Sequence, residues 1–370
     1  MKLTLNTPGA IADHPALPAR AMREAAAAIA AWPGYAPTKL RAMPELAGLL
    51  GVAAVGVKVE GERFAAPGAN TGSFKALGPP YALQREVARL GGSVWRAVAA
   101  TSGNHGRALA WGARMLGVDC TIFMPAHTSA GREVAIRALG AEVVRVAGDF
   151  DASLAAAARA AEGERTMLVA DLPWRGSDAI PRDILAGYSM LAAELAAQAA
   201  PSHVFVAAGN GSLAAATAAQ LRHDFGARVR VVTVEPLASD AIRRSLAAGV
   251  KVVLDEGTGS VMDGLVVRAP SALCWPLLRD GVAAALAIDD AVAIRVLREA
   301  AAGAWGDPAL EVGETGIAAL AGLVAAAGDP GARAALGLGA ESRVVAIACE
   351  GVTDRAVFDR LRRPATAAIG

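Results

Sequence analysis

The sequence predicts an α/β fold. From about residue 52 onward, short β-branched runs alternate with long segments rich in alanine, leucine and arginine, a pattern typical of β-α units around a parallel sheet. Polar, glycine-containing turns follow several of these runs, at the sheet edge where α/β folds bind ligands. The length of 370 residues is enough for two such lobes or for one large one.

The alternation predicts eight strands and six helices. The strands are predicted at residues 52–59, 98–101, 120–124, 142–146, 167–170, 203–207, 228–234 and 344–348. The helices are predicted at residues 74–90, 106–116, 130–139, 150–161, 184–198 and 213–224, with a kink at Pro79 and Pro80 in the first of them. Residues 324–340 are rich in glycine, but their alanines favour helix over disorder.

Composition narrows the class of partner and the compartment. The formal net charge is +1, so no large basic field exists to bind a nucleic acid or an anionic membrane, and a small-molecule partner is favoured. No apolar run approaches the roughly 18 residues of a spanning helix, and no signal peptide is recognisable, which predicts a cytoplasmic protein. The three cysteines are widely spaced, so neither a disulfide framework nor a metal site is predicted.

A turn of glycine, serine and asparagine at residues 70–78 leads into a helix whose first turn holds Lys75. The positive end of the helix dipole disfavours a charged lysine there and lowers its pKa. A lysine that forms a Schiff base must be neutral to attack an aldehyde, so the position suits that chemistry. Most lysines at helix starts are solvated surface groups, so the interpretation depends on the other turns.

A second turn, residues 101–106, follows a predicted strand and opens a helix. Short polar side chains and backbone amides at such a turn point to a ligand. Asn104 is a candidate hydrogen-bond partner for a ring hydroxyl. His105 alone is weak support, because a single histidine is more often structural.

A third turn follows the apolar strand predicted at residues 203–207. Its glycines allow close approach of the backbone, and its amides together with the helix dipole predict a phosphate site. The residues of this loop are Gly209, Asn210, Gly211, Ser212 and Leu213.

The same loop also fits a dinucleotide fingerprint, Gly209-x-Gly211-x-x-Ala214, with Glu235 at the end of the next strand to bind a ribose. That alternative, an NAD(P)-dependent dehydrogenase, leaves the lysine turn and the second turn unexplained.

The motifs SFKALG, SGNHGRALAWGARMLG, AAGNGSLAAA and CEGVTD occur in an order and spacing that resemble the fold-type II pyridoxal-phosphate family, which includes threonine dehydratase, cysteine synthase and tryptophan synthase β. The resemblance covers roughly residues 35–355 and is greatest to the diaminopropionate ammonia-lyases. It implies two lobes, each with a mostly parallel sheet, and the cofactor in the cleft between them. The large lobe would comprise residues 1–90 and 205–370 and the small lobe residues 91–204, and the family implies a homodimer.

The resemblance also implies roles for individual residues. Lys75 would carry pyridoxal 5′-phosphate and later move the α-proton of the substrate. Phe74 would lie near the cofactor ring, and Asn104 would bond its 3′-hydroxyl. Residues 209–213 would hold the phosphate. Cys349 would face the pyridine nitrogen, where a neutral partner leaves that nitrogen largely unprotonated.

Two further positions bear on the reaction. The related lyases carry an aspartate where Ser102 stands, and that aspartate is implicated in proton abstraction from D-substrates. A serine at its ordinary pKa is no such base, so this catalytic position argues against activity on D-isomers. Asp171 matches a lyase aspartate and would hold a substrate amine, although a helix-capping or loop role is equally open.

The resemblance therefore implies a lyase that eliminates the β-substituent of a small amino acid, with 2,3-diaminopropionate giving pyruvate and ammonia. A dehydratase or β-replacement enzyme of the same fold would use the same lysine with another leaving group or a second nucleophile. A relative that binds its ligand without turnover is the remaining alternative.

Overall fold

The computed structural model describes residues 1–9, 11, 13–64, 71–101, 103–173, 175–255 and 259–363. The chain divides into two compact units. The first unit comprises Met1–Ile11, Lys39–Glu60 and Leu195–Gly370, and the second comprises Ala12–Thr38 and Gly61–Glu194.

The described residues form strands and helices in alternation, as the sequence predicts. The strands are β1 (Lys2–Leu5), β2 (Leu40–Ala42), β3 (Ala54–Val59), β4 (Arg96–Ala100), β5 (Asp119–Pro125), β6 (Glu142–Val146), β7 (Thr166–Leu168), β8 (His203–Ala207), β9 (Arg230–Pro236), β10 (Ala284–Ile288) and β11 (Arg343–Ala348). The helices are α1 (Ala19–Ala30), α2 (Pro44–Leu50), α3 (Gly78–Arg89), α4 (Asn104–Leu116), α5 (Ala130–Arg137), α6 (Phe150–Ala160), α7 (Ala179–Gln198), α8 (Ser212–Phe225), α9 (Ala241–Ala248), α10 (Trp275–Gly281), α11 (Asp290–Ala302), α12 (Ala318–Gly328), α13 (Pro330–Leu336) and α14 (Arg355–Arg362).

Each unit has its own sheet. The first unit holds a seven-stranded sheet in the order β1-β10-β9-β8-β11-β3-β2, and the second holds a four-stranded sheet in the order β6-β5-β4-β7. All pairs in the smaller sheet are parallel, and in the larger sheet only the edge strands β1 and β2 run antiparallel to their neighbours. The predicted α/β fold with mostly parallel sheets is confirmed.

All eight predicted strands are present, and three further strands were missed. The missed strand β10 has the sequence AALAI, in which alanine favours helix, yet all five residues are buried within the sheet. The other two, β1 and β2, are short edge strands of four and three residues, too short to show a pattern. The alanine-rich residues 324–340 are largely helical, within α12 and α13.

The predicted kinked helix over residues 74–90 is wrong in its first turn. Residues Phe74–Leu77 form a 3₁₀ turn, and α3 begins at Gly78, so Pro79 and Pro80 lie in the first turn of the helix. The amides that proline lacks have no acceptor within a helix at that position, so the two prolines cost α3 no hydrogen bond.

The contacts of α3 hold it in the second unit, whereas the family resemblance implies a large lobe that includes residues 1–90. Helix α3 packs on α4 so closely that a Cβ atom at Gly112 would lie 2.6 Å from Pro80 Cβ. The turn before α3 packs equally closely on α7, where a Cβ atom at Gly187 would lie 2.4 Å from the Leu77 carbonyl oxygen.

Candidate active site

Lys75 lies in the 3₁₀ turn Phe74–Leu77 that precedes α3, and not in the first turn of the helix, where the sequence predicted it. Its Nζ atom is 3.8 Å from Asp171 Oδ2, and the two side chains are only 22% and 29% exposed. Asp171 follows β7, the edge strand of the smaller sheet. The second unit therefore brings together two residues that the sequence singled out separately, an amine and a carboxylate.

Two aromatic rings flank the same amine. The rings of Phe74 and Tyr188 contact each other with centroids 4.8 Å apart. Lys75 Nζ lies 5.3 Å from the centroid of the Phe74 ring and 5.4 Å from that of Tyr188, both within the range of a cation–π interaction. Tyr188, on the α7 segment AGYSM, was not predicted as a site residue. Its sequence signal is that it is the single aromatic residue of this helix and follows a glycine.

Small residues let α7 approach the lysine turn. A Cβ atom at Gly78 would lie 2.5 Å from Tyr188 Cε1, and one at Gly187 would meet the Leu77 carbonyl oxygen. Tyr188 is fully buried, so its ring is held by packing on all sides. The positions of the ring and of the lysine turn are consequently coupled.

The second polar turn contributes Asn104, which is the first residue of α4 and half-buried. The next residue, His105, places its Nε2 atom 2.9 Å from the Val169 carbonyl oxygen, two residues before Asp171. Because a carbonyl oxygen only accepts, Nε2 must carry the proton of this hydrogen bond. Removal from water lowers the pKa of His105, which favours the neutral ring. Ser102 lies outside the described residues.

A buried ion pair anchors the segment that leads to the lysine. Arg63 Nη1 and Nη2 donate to the two carboxylate oxygens of Glu194, at 2.5 and 2.9 Å, and both side chains are almost fully buried. The hydroxyl of Tyr35 donates to the same carboxylate at 3.0 Å. The Arg63 carbonyl in turn accepts a hydrogen bond from Thr71 Oγ1 at 2.9 Å, so the backbone just before the Lys75 turn is tied to this pair.

The predicted phosphate loop lies in the first unit, between β8 and α8. Gly211 has φ of +91°, and a Cβ atom there would lie 2.5 Å from Leu278 Cδ1, so both backbone and space require glycine. Asn210 Oδ1 accepts hydrogen bonds from the Ser212 amide and hydroxyl, at 3.1 and 3.0 Å. The first-turn amide of Leu213 has no acceptor within the helix, and it lies at the positive end of the α8 dipole.

Thr315 connects this loop region to Cys349. A Cβ atom at Gly209 would lie 3.1 Å from the Gly264 carbonyl oxygen, and the Gly264 amide donates to Thr315 Oγ1 at 3.2 Å. The Cys349 thiol, at the end of β11 and 2% exposed, donates to the Thr315 carbonyl at 3.8 Å. Thr315, in the sequence GETG, was not predicted as a site residue.

Glu235 is not available to bind the ribose of a dinucleotide, as the dehydrogenase alternative requires. Its two carboxylate oxygens accept hydrogen bonds from the amides of Ile242 and Arg243, at 2.7 and 2.8 Å, at the start of α9. The side chain is fully buried, and burial raises the pKa of Glu235 to about 8. A carboxyl group that caps a helix inside the core is closed to a ribose hydroxyl, so the dinucleotide reading loses the acidic residue it requires.

The cysteines are buried free thiols. Burial raises the pKa of Cys120 to about 12, which makes this thiol a poor nucleophile. Within the part of the chain that the structure describes, no cluster of histidine, cysteine and acidic residues is arranged to bind a metal ion. None of the described helices combines the length and apolarity needed to cross a membrane.

The residues present fit pyridoxal phosphate in three respects. The second unit offers an amine between aromatic rings and beside a carboxylate. The first unit offers a glycine loop that a Cβ atom would fill, at the N-terminus of a long helix where phosphate binds. It also offers a buried neutral thiol, the kind of partner that leaves a pyridine nitrogen unprotonated.

These features define a pyridoxal-phosphate enzyme. The model of the family described as "Pyridoxal-phosphate dependent enzyme" matches residues 31–350. The chain therefore belongs to this family, and pyridoxal 5′-phosphate is its cofactor.

Individual relatives and solved structures within this family are similar to the chain over most of its length. The diaminopropionate ammonia-lyase of Escherichia coli strain K12 is 31% identical over 346 residues, which cover 87% of this chain and 86% of the relative. A crystal structure of the E. coli enzyme with an aminoacrylate-PLP azomethine reaction intermediate superposes with a TM-score of 0.88 at 28% identity, covering 98% and 96% of the two chains. Its complex with D-serine superposes with a TM-score of 0.87 at the same identity and coverage.

Proposed function

We propose that this enzyme is an ammonia-lyase that acts on 2,3-diaminopropionate. The substrate and one water would give pyruvate and two molecules of ammonia. The family supplies the cofactor, and the similarity to E. coli diaminopropionate ammonia-lyase over most of both chains supports the substrate class.

The pairing of Lys75 with Asp171 carries the proposal. A β-elimination needs a base for the α-proton and a group that holds the substrate's second amine. A lysine amine and a carboxylate 3.8 Å apart supply both functions at one place. A surface ion pair would be more exposed than these two side chains, and it would not be flanked by two rings.

When bound, the cofactor withdraws electrons from the substrate's α-carbon. The residues of the chain hold the cofactor and the substrate and move the proton. Lys75 would hold the cofactor, and its amine, when not bonded to the cofactor, would take the α-proton of the substrate. The carboxylate of Asp171 holds the β-ammonium group of the substrate until it leaves as ammonia. The aromatic rings of Phe74 and Tyr188 limit the access of water to Lys75.

We assign the remaining predicted residues to holding the cofactor. The loop residues Gly209, Asn210, Gly211, Ser212 and Leu213 would bind the phosphate, as their position at the start of α8 supports. Asn104 at the start of α4 would bond the ring hydroxyl. Cys349, whose thiol is buried and neutral in character, would face the ring nitrogen.

Ser102 bears on stereochemistry. The family resemblance implies an aspartate at this position in the related lyases, and the E. coli enzyme has been crystallised with D-serine. Because a serine hydroxyl does not act as a base at neutral pH, we infer that Lys75 is the α-proton base and that the L-isomer is the substrate.

The experiment is a product assay on the purified enzyme with L- and D-2,3-diaminopropionate, L-serine and L-threonine. We expect pyruvate and ammonia in a ratio of one to two from the L-diamino acid. The Lys75→Ala variant should lose turnover by at least about 10³-fold, because it lacks both the attachment point and the base. Borohydride reduction followed by peptide mapping should modify Lys75 in the wild type.

Other outcomes would identify the alternatives. Turnover of serine or threonine without turnover of the diamino acid would make the enzyme a dehydratase and overturn the proposed substrate. Reduction at a lysine other than Lys75 would overturn the site. Retention of cofactor without release of ammonia from any of the four amino acids would identify a binding protein.

We also propose that the protein works as a cytoplasmic homodimer. The three buried free cysteines suit a reducing compartment. Family resemblance supports the dimer, which sedimentation of the purified protein tests directly.

A further inference from the structure

The amine of Lys75 has neighbours of two different electrostatic kinds. Asp171 carries a full negative charge 3.8 Å away. Phe74 and Tyr188 carry no net charge, but their ring faces are electron-rich and lie 5.3 and 5.4 Å from the nitrogen. We call Asp171, Phe74 and Tyr188 the lysine cage.

We propose that Tyr188 is a positioning residue that, together with Phe74, stabilises the protonated form of Lys75 and thereby assists removal of the substrate's α-proton. This inference rests on the proposed function, since it concerns the base of that reaction.

The proton transfer has a simple balance. The α-carbon–hydrogen bond breaks, the proton bonds to Lys75 Nζ, and the electron pair stays on the substrate carbon. The neutral amine thus becomes an ammonium ion during the step. A ring face attracts the cation far more than the neutral amine, so the interaction strengthens as the proton arrives and lowers the barrier.

The two aromatic rings stabilise the ammonium form of Lys75 more weakly than a second carboxylate would, and this weaker stabilisation suits a residue that must act as a base. Asp171 already favours the ammonium form through its charge. A further carboxylate would favour it so strongly that Lys75 would remain protonated and could not act as a base. Two rings add a smaller stabilisation, which leaves the neutral amine accessible when the substrate is bound.

The structure fixes Tyr188 for this role. The ring is fully buried, and Gly78 is the neighbour that leaves room for it, since a Cβ atom there would lie 2.5 Å from Tyr188 Cε1. Among the described residues, His105 is a titratable neighbour of the cage. His105 is coupled electrostatically to both Lys75 and Asp171, but burial lowers its pKa, so it adds no positive charge near neutral pH.

The test compares Tyr188→Leu, which removes the ring, with Tyr188→Phe, which keeps it. Tyr81→Leu is the matched control, because Tyr81 is also a buried tyrosine of the second unit and its charged neighbours are Arg85, Asp183, Glu24 and Arg89 rather than Lys75. The first readout is the pH at which Lys75 becomes reactive toward trace acetic anhydride in the full-length, cofactor-free protein, with circular dichroism to confirm folding.

We expect Tyr188→Leu to lower this midpoint by about 0.5 to 1 pH unit, which corresponds to roughly a three- to tenfold weaker preference for the ammonium form. Tyr188→Phe should retain most of the wild-type midpoint, and Tyr81→Leu should not move it. The second readout is the kinetic isotope effect of α-deuterated substrate on the loaded enzyme. Tyr188→Leu should lower kcat by a similar factor and raise the isotope effect, with KM little changed.

An unmoved midpoint in Tyr188→Leu would overturn the inference, as would a Tyr188→Phe variant with the same shift, which would assign the effect to the hydroxyl. Should Tyr188→Leu fail to fold, Phe74→Leu tests the other ring in the same assay. The labelling experiment needs no substrate, so its result is independent of whether the proposed substrate is correct.

Discussion

The lysine region of the second unit and the glycine loop of the first unit differ in the chemical groups that they present. Around Lys75, the functional groups are side chains that carry charge or aromatic rings, namely Asp171, Phe74 and Tyr188. In the glycine loop, backbone amides and small neutral side chains dominate, and Gly211 has a conformation that other residues rarely adopt. One region can move protons, whereas the other can hold an anion.

This difference implies that catalysis and cofactor binding are separable by mutation, except at Lys75, which serves both. Substitutions of Asp171 or Tyr188 in the lysine region should change rates at saturating cofactor. Substitutions in the glycine loop should change cofactor affinity and stability, with rates restored when the cofactor is in excess.

Among substitutions that leave Lys75 in place, the largest effect is expected for Asp171→Asn. Loss of the carboxylate removes the group that holds the substrate amine and assists Lys75, so kcat should fall by about 10²-fold while cofactor affinity stays within a few-fold. Steady-state kinetics and a cofactor titration by fluorescence check both. Asp178→Asn is the control, because Asp178 is a more exposed aspartate of the following loop, paired with Arg182. A comparable fall of kcat in Asp178→Asn, or a loss of cofactor affinity in Asp171→Asn, would contradict the separation of catalysis from cofactor binding.

Gly211→Ala should act through binding and stability. A Cβ atom at φ of +91° and 2.5 Å from Leu278 Cδ1 adds backbone strain and a clash, which together cost about 2–4 kcal/mol. Cofactor affinity should fall about tenfold or more, and kcat at saturating cofactor should stay within a few-fold. Gly249→Ala has a similar backbone conformation with open space around it, and it should cost only about 1 kcal/mol. Equal destabilisation of the two variants would show that the Leu278 contact is unimportant.

Another effect concerns the pH dependence of stability and lies in the first unit outside the loop. Burial raises the pKa of Glu235 to about 8 in the folded protein, above the ordinary value of 4.5 in the unfolded chain. The native state therefore binds a proton that the unfolded state has lost, so this contribution is complete below pH 4.5 and is lost as the pH rises through about 8.

Within that window the free energy of unfolding should fall by up to about 1.4 kcal/mol per pH unit from this group. Glu235→Gln cannot titrate and should flatten the slope measured by denaturant unfolding between pH 5 and 8. Glu341→Gln, at an exposed position, should leave the slope intact. A wild-type protein whose stability is constant over this range would contradict the assignment.

Much of the fold could be predicted because its inner strands are β-branched and separated by helical runs. Strand β10 could not, because AALAI carries no β-branched residue until its last position, and only its place between β1 and β9 makes it a strand. The start of α3 was misplaced because two adjacent prolines indicate a kink as well as a first turn, and only the packing of Leu77 against α7 distinguishes them.

The site residues that the sequence predicts lie where a motif joins a turn to a helix, as for Lys75, Asn104 and the glycine loop, and their roles stay predictions. Tyr188 and Thr315 escaped because their roles arise from tertiary contacts with residues distant in sequence. Glu235 shows the opposite error. A correctly spaced acid matched a dinucleotide fingerprint, although its partners are the amides of α9.

The contact of Gly187 with the Leu77 carbonyl also limits how this sequence can diverge. Even the smallest side chain at position 187 would press on the turn that carries the lysine, since its Cβ atom would lie 2.4 Å from that oxygen. In a library of random variants, position 187 should therefore be as intolerant of change as Lys75 itself, although it takes part in no chemistry.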